Sequence, residues 1–132
     1  MFFNLQRPEN EPFSSATLAY LGDAVFELLV RERLLADGIL HSNRLHRRAL
    51  RLSSATGQAV AAHVLLPLLD EEEAAAFRRG RNASLSVSKK KNPAIHTAAS
   101  GLEVLFGQLY LQGRQERLLE LFELCYASVV KG

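Results

Sequence analysis

This sequence lacks most of the devices that stabilise or anchor a small protein by means other than an apolar core. It has one cysteine, Cys125, so it cannot form an internal disulfide. It has no run of about 18 consecutive apolar residues and no basic N-terminal segment followed by a long apolar one. We therefore expect a cytoplasmic protein that makes no membrane contact, with Cys125 as a buried structural thiol.

Several sequence signatures of catalysis are also missing. The chain has no Cys/His spacing suited to structural zinc, no glycine-rich phosphate loop of the Walker type, and no nucleophile elbow. Alternating β-branched runs bounded by hairpin turns are absent, and there is no internal repeat. These absences argue against a zinc finger, a P-loop nucleotidase and a serine hydrolase.

The pattern that remains is helical. The 132 residues suffice for one domain, which we take to span residues 1–132. Apolar periodicity predicts an all-α fold with helices over residues 15–36, 42–52, 55–66, 70–79, 97–112 and 114–130. Asp70 is placed to cap the fourth helix with Glu73 three residues later, and Gly38, Gly80 and Gly113 punctuate helix ends.

Asp23 is the most informative residue of the first helix. At about 100° per residue this helix is apolar on two opposite sides, which predicts burial nearly all round. Asp23 falls within one apolar side, and Glu27 follows one turn later. Because a buried carboxylate costs several kcal/mol unless a metal, a cation or hydrogen bonds compensate it, we expect Asp23 to have such a partner.

Glu103 repeats this arrangement in the fifth predicted helix. It lies roughly 160° from the apolar stripe, on a face that contains Ala99 and Gly107, while Asp23 has Gly22 beside it. Small neighbours permit close approach of another helix. Two acids on separate core helices can hold a hard cation such as Mg²⁺. The alternative is that these acids cap helix ends or pair with buried arginines.

The positive charge of the chain is concentrated in its middle. Between residues 38 and 102 there are ten Arg or Lys residues, and the only acids are the run 70–73. One basic cluster comprises Arg44, Arg47, Arg48 and Arg51. The other comprises Arg78, Arg79 and Arg81 together with Lys89, Lys90 and Lys91, and most of it falls in a predicted loop over residues 81–93. Together the two clusters favour a polyanionic partner.

At this point the sequence resembles a known family. Residues 18–27, LAYLGDAVFE, are similar to the signature helix of ribonuclease III catalytic domains, and more closely to that of Mini-III ribonucleases, which lack a double-stranded-RNA-binding domain. Arg79-Gly-Arg-Asn-Ala83 and Gly101-Leu-Glu-Val-Leu-Phe-Gly107 follow in the Mini-III order. The ordered set covers nearly the whole chain, which makes the resemblance specific.

The resemblance implies an all-helical homodimer with the ribonuclease III endonuclease fold that cleaves double-stranded RNA with Mg²⁺. Asp23 and Glu103 match the catalytic, metal-binding acids of the family. The products would carry a 5′-phosphate and a 3′-hydroxyl, and the substrate would be precursor large-subunit (23S) ribosomal RNA, with a ribosomal protein or pre-ribosome as a further partner. Larger ribonucleases III carry three additional acids where this chain has Ala16, Ala19 and Ser100. A sparser metal shell, completed by water and RNA phosphate, is expected.

Remaining roles are assigned by position and charge. Double-stranded RNA is read mostly through its phosphates and 2′-hydroxyls, which suits basic side chains. The predicted RNA contacts are Arg79, Arg81, Asn82, Lys89, Lys90 and Lys91, with Arg47 and Arg48 as weaker candidates. Glu27 is predicted either to support Asp23 or to form a salt bridge. The apolar surface of the first helix exceeds what a monomer of this size covers, which favours a homodimer.

Two other functions compete with this prediction. A non-catalytic ribonuclease-III-like module bound to ribosomes would keep the basic clusters and lose the acids, yet both Asp23 and Glu103 are present. An unrelated helical protein-interaction domain explains neither the acids nor residues 79–82. The sequence therefore favours the enzyme.

Overall fold

A computed structural model describes residues 2–5, 12–87 and 93–130 of the chain. Six α-helices account for most of these residues, and no strand occurs among them. The helices are α1 Ser15–Ala36, α2 Ser42–Ser53, α3 Ala55–Leu65, α4 Glu71–Val87, α5 Pro93–Leu111 and α6 Gln115–Val130, with a short 3₁₀ turn over Leu66–Leu68. The all-α prediction is confirmed.

Helix α5 is the centre of the bundle, and α1, α3 and α4 pack most extensively around it. Leu105, Phe106 and Leu109 of this helix have no solvent-exposed surface. The ring of Phe106 meets that of Phe26 from α1 edge to face, with centroids 5.4 Å apart. Phe26 in turn meets Phe122 of α6 at 5.7 Å. Aromatic rings in this arrangement add to the stabilisation that burial itself provides.

Two predicted helix ends are confirmed. Gly38 and Gly113 adopt positive φ angles of 84° and 71°, which a residue without Cβ accepts at little cost. The N–H of Gly38 donates to the carbonyl of Leu35 at the end of α1. The N–H of Gly113 donates likewise to the carbonyl of Tyr110 at the end of α5. Each glycine turns the chain sharply into the next element.

The prediction for α4 was wrong at its C-terminal end. The helix continues past residue 79 to Val87, so residues 81–87 are helical, and α5 begins at Pro93 instead of residue 97. Gly80 does not end the helix. A Cβ on this glycine would lie 2.6 Å from the Ser100 carbonyl oxygen and 2.9 Å from the Gly101 Cα of α5. Gly80 therefore permits close packing of two helices.

The burial predicted for α1 was also partly wrong. Val25, Phe26, Val30 and Leu34 are buried, but Leu28 and Leu35 are 53% and 52% exposed. Asp23 itself is an exposed residue. The reason is that α1 packs chiefly against α5 and less extensively against α2, so its remaining surface stays open in the monomer.

Among the described residues, the fully buried acid is Glu73, at the start of α4. Its backbone N–H donates to Asp70 Oδ1 at 2.8 Å, and Asp70 N–H donates back to Glu73 Oε1 at 3.0 Å, which is the predicted capping pair. Arg117 of α6 donates from Nε to Oε2 and from Nη2 to Oε1, each at 2.8 Å. Hydrogen bonding to Arg117 lowers the pKa of Glu73. This carboxylate joins α4 to α6.

Two further predictions concern Cys125 and membrane-spanning helices. Cys125 is a free, fully buried thiol, and burial raises its pKa to about 12, as expected for a structural cysteine. Across the ranges that the structure describes, no helix is both long and apolar enough to cross a membrane.

Candidate active site

The candidate active site forms where α1 and α5 approach each other most closely. A Cβ on Gly22 of α1 would lie 1.7 Å from the Glu103 carbonyl oxygen, and a Cβ on Gly107 of α5 would lie 2.1 Å from the Leu18 carbonyl oxygen. Side chains at these two positions would force the helix backbones apart. The small residues predicted beside the acids therefore have a defined purpose, which is to bring the two backbones into contact.

This approach brings Asp23 and Glu103 together. Glu103 is partly buried on α5, and its side chain interacts with that of the exposed Asp23. Burial, the negative charge of Asp23 and hydrogen bonding with Asp23 raise the pKa of Glu103 to about 7. An acid whose pKa is raised by burial and, to a smaller extent, by a neighbouring acid indicates a site that favours a cation.

The donor set of this pair fits a hard divalent cation. Mg²⁺ is usually held by one or two carboxylates and keeps several waters or takes phosphate oxygens for its other positions. Within the described residues no cluster of three or more Asp, Glu, His or Cys side chains is placed to hold a metal. Asp23 and Glu103 would therefore supply the protein ligands, with water and substrate completing the shell.

Glu27 has a partner other than the acid pair. Its Oε1 accepts a hydrogen bond from Arg31 Nε at 3.1 Å, an ion pair between successive turns of α1. This contact matches the salt-bridge alternative of the sequence prediction. A supporting role for Glu27 toward Asp23 stays a prediction.

Five of the predicted RNA-contacting residues lie on two helices, α4 and α2, and the other three fall outside the described residues. Arg79, Arg81 and Asn82 belong to α4, where Arg79 and Asn82 are exposed and Arg81 is partly buried. Arg47 and Arg48 belong to α2. Lys89, Lys90 and Lys91 lie outside the described residues.

Gln108 is a residue of this region that the sequence prediction missed. Its Oε1 accepts a hydrogen bond from Arg79 Nη2 at 2.7 Å, which ties the predicted RNA contact of α4 to the helix that carries Glu103. The signal was present in the sequence, because Gln108 is the only amide side chain in the largely apolar segment 93–111. Periodicity alone does not show which polar residue on a helix meets a partner on another.

Comparison with known proteins identifies the class to which this fold and site belong. The Ribonuclease III domain matches residues 16–114, a span that includes both acids of the site. The chain belongs to the ribonuclease III family. This result confirms the sequence prediction of an endoribonuclease of that family.

Relatives that are more than 40% identical to this chain indicate which branch of the family it resembles. The chain is 48% identical to a Mini-ribonuclease 3 from Symbiobacterium thermophilum, over 88% of this chain and 90% of that protein. It is 44% identical to a Mini-ribonuclease 3 from Synechocystis, over 89% of this chain and 82% of that protein. The predicted similarity to the Mini-III branch is thus confirmed.

A solved structure supports the fold alone. A crystal structure of a protein from Fusobacterium nucleatum superimposes with a TM-score of 0.76 at 24% identity, covering 89% of this chain and 94% of that one.

Proposed function

We propose that this protein is a Mg²⁺-dependent endoribonuclease that cleaves double-stranded RNA, with Asp23 and Glu103 as catalytic residues and metal ligands. The observation that carries the proposal is the acid pair that the Gly22 and Gly107 contact brings together. Glycines at the closest approach of two helices and a partly buried acid beside a second acid are together difficult to explain by packing alone.

The proposed chemistry gives each of the two carboxylates a role. Asp23 and Glu103 would hold the metal through their carboxylates, and Glu103 would have to lose its proton to do so, because a protonated carboxyl is a poor ligand. Mg²⁺, when bound, supplies a Lewis acid for the scissile phosphate and for the attacking water. Hydrolysis then leaves a 5′-phosphate and a 3′-hydroxyl.

Positioning of the RNA is assigned to the basic side chains. Arg79, Arg81 and Asn82 belong to α4, which packs against the helix that carries Glu103, and Arg79 is hydrogen-bonded to Gln108 of that helix. Lys89, Lys90 and Lys91 follow α4 in the chain, and Arg47 and Arg48 lie on α2. Phosphate contacts of this kind hold a duplex in register without reading its sequence.

The active form is proposed to be a homodimer. Leu28 and Leu35 are seven residues apart on one side of α1, and each is about half exposed in the monomer. Apolar surface of this kind on a long helix suits a second copy of the same helix. Two sites related by a two-fold axis also suit a duplex, which has two strands to cut.

The biological substrate is proposed from the family resemblance. Precursor 23S ribosomal RNA is the expected target, with a ribosomal protein or the pre-ribosome as a further partner and the cytoplasm as the location. The Mini-ribonuclease 3 relatives at 44% and 48% identity support the ribonuclease class from which this substrate is proposed.

The first test is cleavage of an end-labelled RNA duplex with and without Mg²⁺. Wild-type protein is compared with Asp23→Asn and Glu103→Gln, each checked for native helicity by circular dichroism. We expect wild type to cut only with the metal, and the cleavage rate to fall by about a thousandfold or more in both variants. A loss of this size is typical when a group that stabilises transition-state charge is removed.

The outcomes separate the proposal from its competitor. A wild-type protein that binds duplexes without cutting them, with several divalent metals, would instead indicate the non-catalytic RNA-binding module. Cutting that persists in either folded variant would remove that acid from the metal site.

A further inference from the structure

Helix α2 carries a row of arginines on one side. Arg44, Arg47, Arg48 and Arg51 recur at intervals of three and four residues and line a shallow pocket of about 270 Å³. We call these four residues the arginine stripe. At 1.5 Å per residue the stripe is about 10 Å long, and α2 contains no acidic residue that could neutralise it.

Two of the four arginines interact with other described residues, and the other two do not. Arg51 Nη2 donates a hydrogen bond to the carbonyl oxygen of Val129 at 3.4 Å. Hydrogen bonding to Tyr126 is the main cause of the lowered pKa of Asp37, and the charge of Arg48 adds to it. Arg44 and Arg47 are exposed, and over the described ranges neither forms a hydrogen bond or an ion pair. The two free guanidinium groups are therefore available to an external anion.

Asp37, the acid whose pKa the charge of Arg48 affects, is already engaged by other groups. Asp37 accepts hydrogen bonds from Arg33 Nη1 and from the hydroxyl of Tyr126. Arg33 also donates from Nε to Glu123 Oε1 at 2.7 Å and lies over the ring of Tyr126 at 4.5 Å. Since Asp37 is shared with Arg33, it offsets little of the charge of the stripe.

The position of the stripe relative to the acid pair can be read along α1. Arg51 of the stripe contacts Val129, one turn after Tyr126 on α6, and the Tyr126 hydroxyl donates to Asp37. Asp37 follows Asp23 by fourteen residues, so it lies about 20 Å further along the helix and about 40° from Asp23 in direction. Both residues are exposed and stand on the same side of α1. The stripe is thus a second basic site, separate from the α4 residues that face α5.

From this placement we infer that the arginine stripe binds the phosphate backbone of duplex RNA at a point about 20 Å from the acid pair. The inference rests on the proposed function. Guanidinium groups bind phosphate in a bidentate manner and are always charged, which suits a row of phosphates better than an acidic protein surface of mixed hydrogen-bonding character. It follows that a duplex must extend past its cleavage position to bind fully.

The test measures binding, without metal, to two fluorescent RNA duplexes that share one cleavage position. The short duplex ends within about 10 Å of that position on the stripe side, and the long one continues for more than about 30 Å, bracketing the distance along α1. The variant is Arg44→Gln combined with Arg47→Gln, since neither residue has an internal partner to lose.

We expect the double variant to bind the long duplex on the order of tenfold more weakly, with a salt slope reduced by about 1.5, and to bind the short duplex like wild type. Arg44→Lys with Arg47→Lys should recover most of the salt slope, because charge is kept. Arg114→Gln removes one charge at the start of α6, together with a 3.7 Å ion pair to Glu73, and is the control for loss of a positive charge outside the stripe.

Equal weakening on both duplexes, or none on either, would overturn the inference. The single variant Arg47→Gln is measured alongside the double variant, and weakening of long-duplex binding by Arg114→Gln as large as that by Arg47→Gln would also overturn the inference. Failure of the proposed function gives a different result, because wild type would then cut neither duplex in Mg²⁺ while length-dependent binding through the stripe would remain.

Discussion

Glu73 is fully buried and Glu103 is partly buried in the same helical bundle, and the groups beside the two carboxylates carry charges of opposite sign. Glu73 has its cation built into the fold, because Arg117 donates two hydrogen bonds to it and Asp70 completes its shell. Glu103 has a second acid, Asp23, as its neighbour. The pKa of Glu73 is lowered and that of Glu103 is raised to about 7. A paired carboxylate stabilises the fold, whereas a carboxylate beside another is set up to receive a cation from outside.

Glu73→Gln should produce the largest change in stability. It removes the counter-ion of Arg117, whose side chain is 22% exposed, and weakens the capping pair at the start of α4. We expect a loss of about 3 kcal/mol in the free energy of unfolding, measured by urea denaturation at pH 7. A loss below about 1 kcal/mol would show that Glu120 and water replace the carboxylate.

The pH dependence of Glu73 has a definite sign. Its pKa in the folded protein lies below the ordinary value of 4.5, so its stabilisation is fully present above pH 4.5 and is lost as the pH falls through the folded-state pKa. The difference between wild type and Glu73→Gln should therefore shrink only in acid. Arg114→Gln is the control, because Arg114 lies 3.7 Å from Glu73 and contributes less.

Gly22→Ala tests the helix contact on which the acid pair depends. The added Cβ would meet the backbone oxygen of Glu103, which no side-chain rotation can relieve. We expect a loss of about 2–3 kcal/mol in stability together with loss of RNA cleavage. Ala24→Gly changes an exposed residue of the same helix and should cost about 1 kcal/mol with activity kept. Full activity in Gly22→Ala would show that the spacing of the acids is not critical.

Glu103→Gln should have the opposite effect on stability from Glu73→Gln. Because the folded-state pKa of Glu103 is about 7 and its ordinary value is 4.5, ionisation of this group destabilises the folded protein as the pH rises from 4.5 to 7. The amide should therefore stabilise the metal-free protein by about 1–2 kcal/mol at pH 8, with no gain below pH 4.5. Thermal unfolding in the presence of a chelator measures this, and a variant that is less stable at pH 8 would contradict the raised pKa.

The sequence predicted much of this arrangement, for reasons that can be stated. Helix periodicity located α1, and the small residues Gly22 and Gly107 beside the acids indicated a close helix contact, since these are local properties of the chain. The acid that is fully buried was not identified, because the pairing of Glu73 with Arg117 joins residues 44 positions apart. Gly80 was taken as a helix end, since a glycine that ends a helix and one that packs against another helix look alike without the partner.

Gln108→Ala should have the smallest effect and tests whether the α4 side of the site is coupled to the acid pair. The Gln108 amide on α5 accepts a hydrogen bond from Arg79 on α4, so its loss should leave Arg79 less ordered. We expect KM for duplex RNA to rise by about threefold with kcat nearly unchanged, which corresponds to the free energy of one hydrogen bond. Gln108→Glu keeps an acceptor for Arg79 and should restore KM. Combining Gln108→Ala with Arg79→Ala should add nothing to the effect of Arg79→Ala alone.

A second hydrogen bond between α4 and the end of α5 provides a matched control. Gln112 donates from Nε2 to Glu72 Oε1 at 2.8 Å and likewise ties the end of α5 to α4, but it does not contact Arg79. If Gln108 acts by positioning Arg79, Gln112→Ala leaves KM unchanged. If both substitutions raise KM equally, the hydrogen bonds act only by holding the two helices together, and the site consists of the acid pair without a positioned arginine.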